Sequence, residues 1–227
     1  MISLAELWPP ISLTLGLSAI TTVILAAVGT PVAWWLARTR WKGRDVVGAL
    51  VALPLVLPPT VIGFYLLIAL GPNGPGGWVA GLWGARTLAF SFWGLLIGSL
   101  IYSLPFMIHP LRAAFGAIEQ EHLDVARLFG VSPWQTFRRV ILPLSRSGYL
   151  TGCILTFAHT IGEFGVVLMI GGNIPGQTRL ISIAIYDYVE RLQWENAHIL
   201  AGGMVVFGLI VLTLMHRADR GLEFPAR

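Results

Sequence analysis

The sequence predicts an all-α integral membrane protein in which five helices, or six, cross the bilayer. Of its 227 residues, 56% are hydrophobic and only 11% are charged, whereas soluble domains carry about 25% charged residues. Several apolar stretches also reach the about 20 residues that a spanning helix needs. We expect one membrane domain over residues 1–227, with spans at about residues 11–37, 46–70, 91–111, 148–171 and 197–215. A sixth span would exist if residues 172–193 re-enter the membrane.

The distribution of basic residues predicts how these spans are oriented. Of the fifteen Lys and Arg residues, four lie in residues 38–44, five in residues 112–146 and three in the C-terminal tail. Five spans place these three segments on one side, which the positive-inside rule assigns to the cytoplasm. We therefore expect the N-terminus outside and the C-terminus in the cytoplasm.

A polar segment at residues 119–143 separates two apolar spans on the predicted cytoplasmic side. It has the pattern of two short helices joined by a sharp corner. Gly130 suits the left-handed position that follows a helix end. Ser132 suits the N-cap of the second helix, with Pro133 at its first position and Gln135 placed to complete a capping box. So well specified a corner between two spans indicates a surface on which a partner docks.

The second predicted span contains three prolines within six residues, namely Pro54, Pro58 and Pro59. Each proline removes a backbone donor and bends a helix. In a membrane, the carbonyls that lose their partners need neighbouring groups or water. The pattern favours a bent helix that lines a pathway, and the alternative is kinking without any part in transport.

The fourth predicted span carries His159 and Glu163, four residues apart and therefore on one helical face. An acid inside a span is costly to bury and is a candidate for function. Gly162 and Gly165 beside it permit a bend or a close helix contact. Glu163 could act at a gate, or it could be a hydrogen-bonded packing group. A zinc site is not favoured, because no third ligand lies nearby.

The segment NIPGQTR, at residues 173–179, is expected at the outer mouth of the protein. Arg179 could raise the local concentration of an anion there. A structural turn at Asn173 and Gly176 with a solvated arginine is the alternative.

Several functions are disfavoured by what the sequence lacks. Its single lysine, Lys42, is not part of a G-x-x-x-x-G-K-[ST] phosphate loop, so any ATP must be bound by another polypeptide. No nucleophile elbow, H-E-x-x-H motif or Cys-rich cluster is present, and no basic run has the pattern of a nucleic-acid surface. We expect no catalytic residue, metal or cofactor in this chain. A transport component fits best, ahead of an ATP-independent secondary transporter or a membrane enzyme.

Residues 124–143 read D-V-A-x3-G-x9-V-x-L-P. This spacing resembles the signature of ATP-binding-cassette importer permeases, an acidic residue followed by Ala-Ala-x3-Gly-x9-Ile-x-Leu-Pro that forms the cytoplasmic coupling helices. Asp124, Val125 and Val140 depart mildly from it. Residues 53–67 and 161–179 resemble the permeases of molybdate importers, and sulfate permeases share part of the second pattern.

The resemblance implies the type I importer permease fold and a homodimer with one pathway at its interface. It also implies two ATPase subunits that bind ATP-Mg, an extracytoplasmic oxyanion-binding protein, and the cytoplasmic membrane of a bacterium or archaeon. The expected cargo is molybdate or tungstate, and a sulfate or thiosulfate permease is the alternative.

The resemblance assigns the candidate coupling residues, and the patterns described above supply the candidates for the pathway. Those expected to couple the chain to the ATPase are Asp124, Ala126, Arg127, Gly130, Val131, Ser132, Trp134, Phe137, Leu142 and Pro143, with Arg138 and Arg139 able to meet acids on the partner. Those expected in the pathway or at a gate are Pro58, Pro59, Thr60, Thr160, Glu163, Asn173 and Arg179, with Ser103 and Thr156 as further hydroxyl candidates.

Overall fold

The computed structural model describes residues 4–222, and throughout this part of the chain the regular structure is helical, without β-strands. Arg227, the last basic residue of the predicted cytoplasmic tail, lies outside the described residues. The helices are α1 (Leu4–Arg38), α2 (Arg44–Ala52), α3 (Pro59–Leu70), α4 (Pro75–Gly81), α5 (Phe92–Gly116), α6 (Gln120–Leu128), α7 (Pro133–Thr136), α8 (Leu142–Leu144), α9 (Arg146–Gly162), α10 (Gly165–Gly171), α11 (Ile181–Glu190) and α12 (Trp194–Leu222).

Within residues 4–222, three helices are each long and apolar enough to cross a membrane, namely α1, α5 and α12. They coincide with the first, third and fifth predicted spans. Two bent pairs, Arg44–Leu55 with Pro59–Leu70 and Pro133–Leu144 with Arg146–Gly162, raise the number to five if each crosses as one span. The stretch considered for a sixth span contains α11, whose 10 residues are too few to cross the hydrocarbon core.

The second predicted span, residues 46–70, has a bend at its prolines, as predicted, but it is wrong as one continuous helix. The chain passes from α2 through a 3-10 turn at Leu53–Leu55, and then turns by 105° before α3 begins. Pro58 has an extended conformation (ψ 139°) at the N-cap of α3, and Pro59 occupies the first position, where no backbone donor is needed. The prolines thus separate two helices rather than kinking one.

The fourth predicted span, residues 148–171, is also wrong as a single helix. Helix α9 ends at Gly162, Glu163 is extended (φ −69°, ψ 136°), and α10 starts afresh at Gly165. No proline lies at this break, but the two glycines that flank it are poor helix formers. Helix α10 therefore packs separately, against α3 and α5.

The contact between α3 and α10 is close because glycines lie in it. A Cβ atom at Gly63 would lie 2.7 Å from Cβ of Met169, and one at Gly165 would lie 2.6 Å from Cβ of Pro59. Only hydrogen side chains allow this approach, as at small-residue contacts between membrane helices generally. The two short helices, both made by breaks in predicted spans, thus form a pair.

The long helices α1 and α5 pack along each other and against α9. At the end that leads into α6, the buried core includes Leu36 of α1, Phe115 of α5, Leu123 of α6 and Ile141. A second buried cluster, which includes Leu17, Leu95 and Val166, joins α1 and α5 to α10. The segment at residues 119–143 therefore packs against the helix bundle through its buried side chains.

Candidate coupling surface and transport pathway

The corner between α6 and α7 is closed by a Schellman motif. Gly130 has a left-handed backbone (φ 67°). Its N–H donates to the carbonyl of Arg127 at 2.9 Å, and the N–H of Val131 donates to the carbonyl of Ala126 at 3.0 Å. These two bonds satisfy carbonyls that the helix end leaves free. The predicted position of Gly130 is confirmed.

Helix α7 begins with the predicted capping box. The Ser132 hydroxyl accepts from the N–H of Gln135 at 3.3 Å, and the Gln135 side chain accepts from the N–H of Ser132 at 3.4 Å. Pro133 stands at the first helical position, where its missing N–H costs nothing. Both ends of the corner are thus set by residues close together in sequence.

The second helix is more irregular than its pattern predicts. Helix α7 is four residues long and passes into a π turn at Phe137–Ile141, in which the N–H of Leu142 donates to the carbonyl of Phe137. Pro143 has no N–H to offer the carbonyl four residues before it, which accounts for a widened turn at this point. Arg138 and Arg139 in this turn are exposed, as are Leu142 and Pro143.

The corner presents an exposed apolar surface, which we call the corner surface and define as Val125, Leu128, Phe129 and Trp134. Leu128 and Phe129 are 85% and 82% exposed, although large apolar side chains favour burial. Trp134 stacks on Phe137, another predicted coupling residue, with ring centroids 5.8 Å apart. Leu128 and Phe129 were missed, although two apolar residues directly before a helix-ending glycine are a usable signal.

Of the remaining coupling candidates, some are exposed beside the corner surface and others lie in the interior. Asp124 and Arg127 form an exposed ion pair at 3.1 Å. Ala126 is buried against the bundle. Val131 lines a cavity of about 630 Å³ between α1 and the corner, together with Trp34 and Leu123.

The break between α9 and α10 borders a cavity of about 520 Å³. Pro59 and Thr60 at the start of α3 line it, as do Glu163 and His159, so the structure brings four candidate residues from two predicted spans together. Tyr102 of α5 also lines this cavity and was not anticipated. Pro58 and Thr60 are exposed. We call this space the break cavity.

Glu163 is 4% exposed, and neither of its carboxylate oxygens has a side-chain partner among the described residues, although the backbone N–H of Val167 interacts with the carboxyl. Its backbone is held instead, since the Ser182 hydroxyl of α11 donates to the Glu163 carbonyl at 2.5 Å. A buried carboxyl without a side-chain partner is costly. Such groups at a cavity wall are candidates for contact with a ligand or a moving element.

Of the other predicted pathway hydroxyls, those of Ser103 and Thr160 form a buried network, whereas the Thr156 hydroxyl has no hydrogen-bond partner among the described residues. Ser103 Oγ lies 3.0 Å from Nδ1 of His159 and 2.9 Å from Oγ1 of Thr160, whose hydroxyl donates to the Thr156 carbonyl at 2.8 Å. All three hydroxyl residues are fully buried within the chain. In this conformation they join α5 to α9 and do not line an open path.

Asn173 and Arg179, the two candidates at the predicted outer mouth, both bind Asp187. Asn173 donates to one carboxylate oxygen at 3.0 Å, and Arg179 donates to the other at 2.7 Å. Arg191 also contacts this carboxylate, at 3.0 Å. Arg179 is therefore paired rather than free. Asp187 was missed, although an acid between apolar residues of α11 is itself a signal of a buried partner.

Among the described residues, no group of three or more His, Cys, Asp and Glu side chains is arranged to hold a metal ion. The polar groups that converge in this part of the chain hold helices together or border the break cavity.

A family model described as "Binding-protein-dependent transport system inner membrane component" matches residues 29–223. The chain belongs to this family. Its members are membrane components of transport systems rather than enzymes, so the prediction of a transport permease is confirmed.

The relatives carry more specific names. The chain is 54% identical over 210 residues to the molybdenum transport system permease protein ModB of Azotobacter vinelandii, covering 92% of this chain and 93% of the relative. It is 33% identical over 217 residues to the ModB of Escherichia coli, covering 94% and 95%. A probable sulfate transport system permease protein of Zygnema circumcarinatum is 31% identical over 201 residues, covering 88% and 69%.

Solved structures share the fold at low identity. A bacterial ABC transporter that imports alginate matches with a TM-score of 0.74 at 19% identity, covering 95% of this chain and 79% of that chain. An inward-facing MetNI methionine ABC transporter matches with a TM-score of 0.69 at 16% identity, covering 98% and 100%. The predicted fold of type I ABC importer permeases is confirmed.

Proposed function

We propose that this chain is the membrane subunit of an ATP-driven importer of molybdate. The 54% identity to a molybdenum permease over 92% of the chain is the observation that carries the proposal. In this proposal the complex contains a second copy of the chain, two ATPase subunits that bind ATP-Mg, and an extracytoplasmic oxyanion-binding protein. The chain lies in the cytoplasmic membrane with its N-terminus outside and its C-terminus inside.

The corner surface is the proposed contact with the ATPase. Its exposed apolar side chains suit an apolar groove on a partner, as in other helix-in-groove contacts. Arg138 and Arg139 lie exposed beyond Trp134, and there they can pair with acidic residues of the ATPase. Such rim charges improve orientation and the rate of association more than affinity.

The break cavity is the proposed part of the pathway. A tetrahedral oxyanion gains little from an apolar wall, whereas hydroxyls and helix ends supply hydrogen-bond donors. Thr60 and Tyr102 bring hydroxyls to the cavity, and α3 begins beside it. When the ATPases close, the displacement of α6 is passed to α5 and α9. The short helices α3 and α10 can then move as a pair, so that the break cavity opens alternately to the outside and to the cytoplasm.

Uptake by proteoliposomes that contain the permease, its ATPase and its binding protein tests this function. We expect uptake of radiolabelled molybdate that requires ATP hydrolysis and persists when sulfate is present at equal concentration. Liposomes in which the ATPase cannot hydrolyse ATP are the control. Uptake that continues there would indicate the secondary transporter considered above.

The second candidate is a sulfate or thiosulfate permease, which the 31% identity to a probable sulfate permease supports. The competition arm of the same experiment separates the two. Loss of molybdate uptake at equal sulfate would reject molybdate as the cargo and leave the ATP-driven mechanism in place.

A further inference from the structure

Arg38, the last residue of α1, reaches across to the joint between α5 and α6. Its guanidinium Nη2 donates to the carbonyl of Phe115 at 2.8 Å and to the carbonyl of Ile118 at 2.6 Å. Phe115 lies in the last turn of α5, and Ile118 lies in the three-residue joint, 117–119, that precedes α6. Within residues 4–222, these are the only side-chain hydrogen bonds that connect α1 with the region from α5 to α6.

The Phe115 carbonyl lies in the last turn of α5, where it has no intrahelical partner and accepts a long bond, 3.4 Å, from the N–H of Ile118, whereas the Ile118 carbonyl lies in the joint beyond the helix. A cation at a helix C-terminus is favoured by the remaining acceptor capacity of the last carbonyls and by the helix dipole. The guanidinium is always charged and planar, so it can hold two carbonyls in a fixed arrangement. Arg38 therefore ties the end of α5 and the joint together.

The surroundings hold the Arg38 side chain in place. Its guanidinium lies over the ring of Trp34, 5.1 Å from the centroid, and Trp34 packs edge-to-face on Phe115 at 5.4 Å. The Thr30 hydroxyl lies 2.8 Å from the hydroxyl of Tyr149, which adds a link from α1 to α9. The end of α1 is thus bonded or stacked to both of its long neighbours.

A basic residue that only sets the orientation of the protein in the membrane does not need such contacts. Arg40, two residues along the chain, is exposed and serves equally well as a positive charge on the cytoplasmic side. The partial burial and the hydrogen bonds of Arg38 indicate a more specific task than orientation in the membrane.

We propose that Arg38 is a positioning residue that makes the α5–α6 joint move as one body with α1. The inference rests on the proposed docking of α6 on an ATPase. A displacement of α6 reaches the rest of the bundle through residues 117–119, and a loose joint would absorb it by local backbone rotation. With Arg38 in place, the displacement moves the end of α1, and through Thr30 and Tyr149 it also moves α9.

The test compares Arg38→Gln and Arg38→Lys with the control Arg40→Gln in the reconstituted complex of permease, ATPase and binding protein. Molybdate uptake and ATP hydrolysis are measured on the same liposomes. In Arg38→Gln we expect normal ATPase assembly and turnover but about tenfold less uptake per ATP hydrolysed, within the range of measured couplings between sites. In Arg38→Lys the uptake per ATP should lie between that of Arg38→Gln and that of the unsubstituted complex. Lysine keeps the charge but has no planar group to stack on Trp34.

An uptake-to-hydrolysis ratio in Arg38→Gln equal to that of the Arg40→Gln control would overturn the proposal. A purely structural contribution would lower the yield of assembled complex and leave that ratio unchanged. If the unsubstituted complex takes up no molybdate, the proposed cargo fails while the positioning inference is still tested by a second measurement.

That measurement is hydrogen exchange of the permease–ATPase complex with and without ATP, which does not depend on the cargo. In the unsubstituted complex we expect ATP to change amide protection both at residues 117–128 and in the last turns of α1. In Arg38→Gln the change should be confined to residues 117–128. The same pattern in both complexes would reject the inference.

Discussion

The corner at Gly130 and the helix break at Glu163 both interrupt helical structure, but different contacts specify them. The corner is closed by a Schellman motif and a capping box, whose bonds join residues at most five positions apart. The break is held by contacts with distant segments, namely Ser182 on the Glu163 carbonyl and Pro59 against Gly165.

This difference suits the two proposed tasks. A surface that docks on another protein benefits from a shape that exists before contact, because ordering on binding would cost affinity. A gate must change its shape when its neighbours move, and a break maintained by those neighbours does so. The predictions below test whether the corner is stabilised by contacts between near neighbours in sequence and the break by tertiary contacts.

The largest effect is expected from Gly130→Val. No atom lies within 4 Å of a Cβ built at this position, so the cost comes from the backbone: about 2 kcal/mol for a left-handed residue, and more for a β-branched one. The Schellman bonds would also weaken. We expect co-purification of the ATPase to fall close to background while membrane insertion continues.

Gly130→Asn is the matched control, because asparagine tolerates the left-handed region. We expect most of the ATPase to co-purify with this variant. Full ATPase recovery with Gly130→Val would show that the corner can be rebuilt by other contacts and is not locally determined.

The next effect concerns the interior pair of short helices. Gly63→Ala places a Cβ 2.7 Å from Cβ of Met169, and overpacking of this kind costs about 2 kcal/mol. We expect a lower thermal unfolding temperature in detergent with unchanged docking of the ATPase. Gly202→Ala, where no atom lies within 4 Å, is the control and should unfold at the original temperature or above it.

Glu163→Gln tests the break cavity at nearly constant volume. Because the carboxyl has no side-chain partner within the described chain, we predict little change in assembly but about tenfold slower uptake, equivalent to about 1.4 kcal/mol. Glu190→Gln, an exposed acid that accepts a hydrogen bond from Tyr186, is the control. Uptake at the original rate in Glu163→Gln would assign Glu163 to packing alone.

The smallest effect is expected from Ser132→Ala. Loss of an N-cap costs about 1 kcal/mol, here spread over the short helix α7. We expect severalfold weaker ATPase binding and faster amide exchange at residues 133–136. Ser132→Asp, which also caps well, should restore both. Unchanged exchange in Ser132→Ala would show that the π turn, rather than the cap, holds α7.

Sequence reasoning was most successful where the signals are local or cumulative. Composition and span length predicted the fold class, and the Gly130, Ser132 and Gln135 pattern predicted the corner. It did less well in the interior. Apolar runs at residues 46–70 and 148–171 were each long enough for one helix, and nothing in their length shows where a helix stops.

The candidate site divides in the same way. The shape of the corner followed from its turn residues, but of the corner surface only Trp134 was predicted. The exposure of Val125, Leu128 and Phe129 depends on the direction in which α6 leaves the bundle. In the break cavity, Pro59 and Glu163 were individually suspected, but their proximity was not predictable, since more than 100 positions separate them. Asp187 was missed although only eight positions separate it from Arg179, because its burial depends on how α11 packs.

By itself, then, the sequence determined the membrane class, the long spans and the corner at Gly130, because these depend on summed hydrophobicity and on hydrogen bonds between near neighbours. Only the tertiary structure decided where α9 stops, which side chains border the break cavity, and that Arg38 holds the α5–α6 joint. Those outcomes depend on contacts between helices that are distant in sequence, and their geometry exists only when the helices have packed.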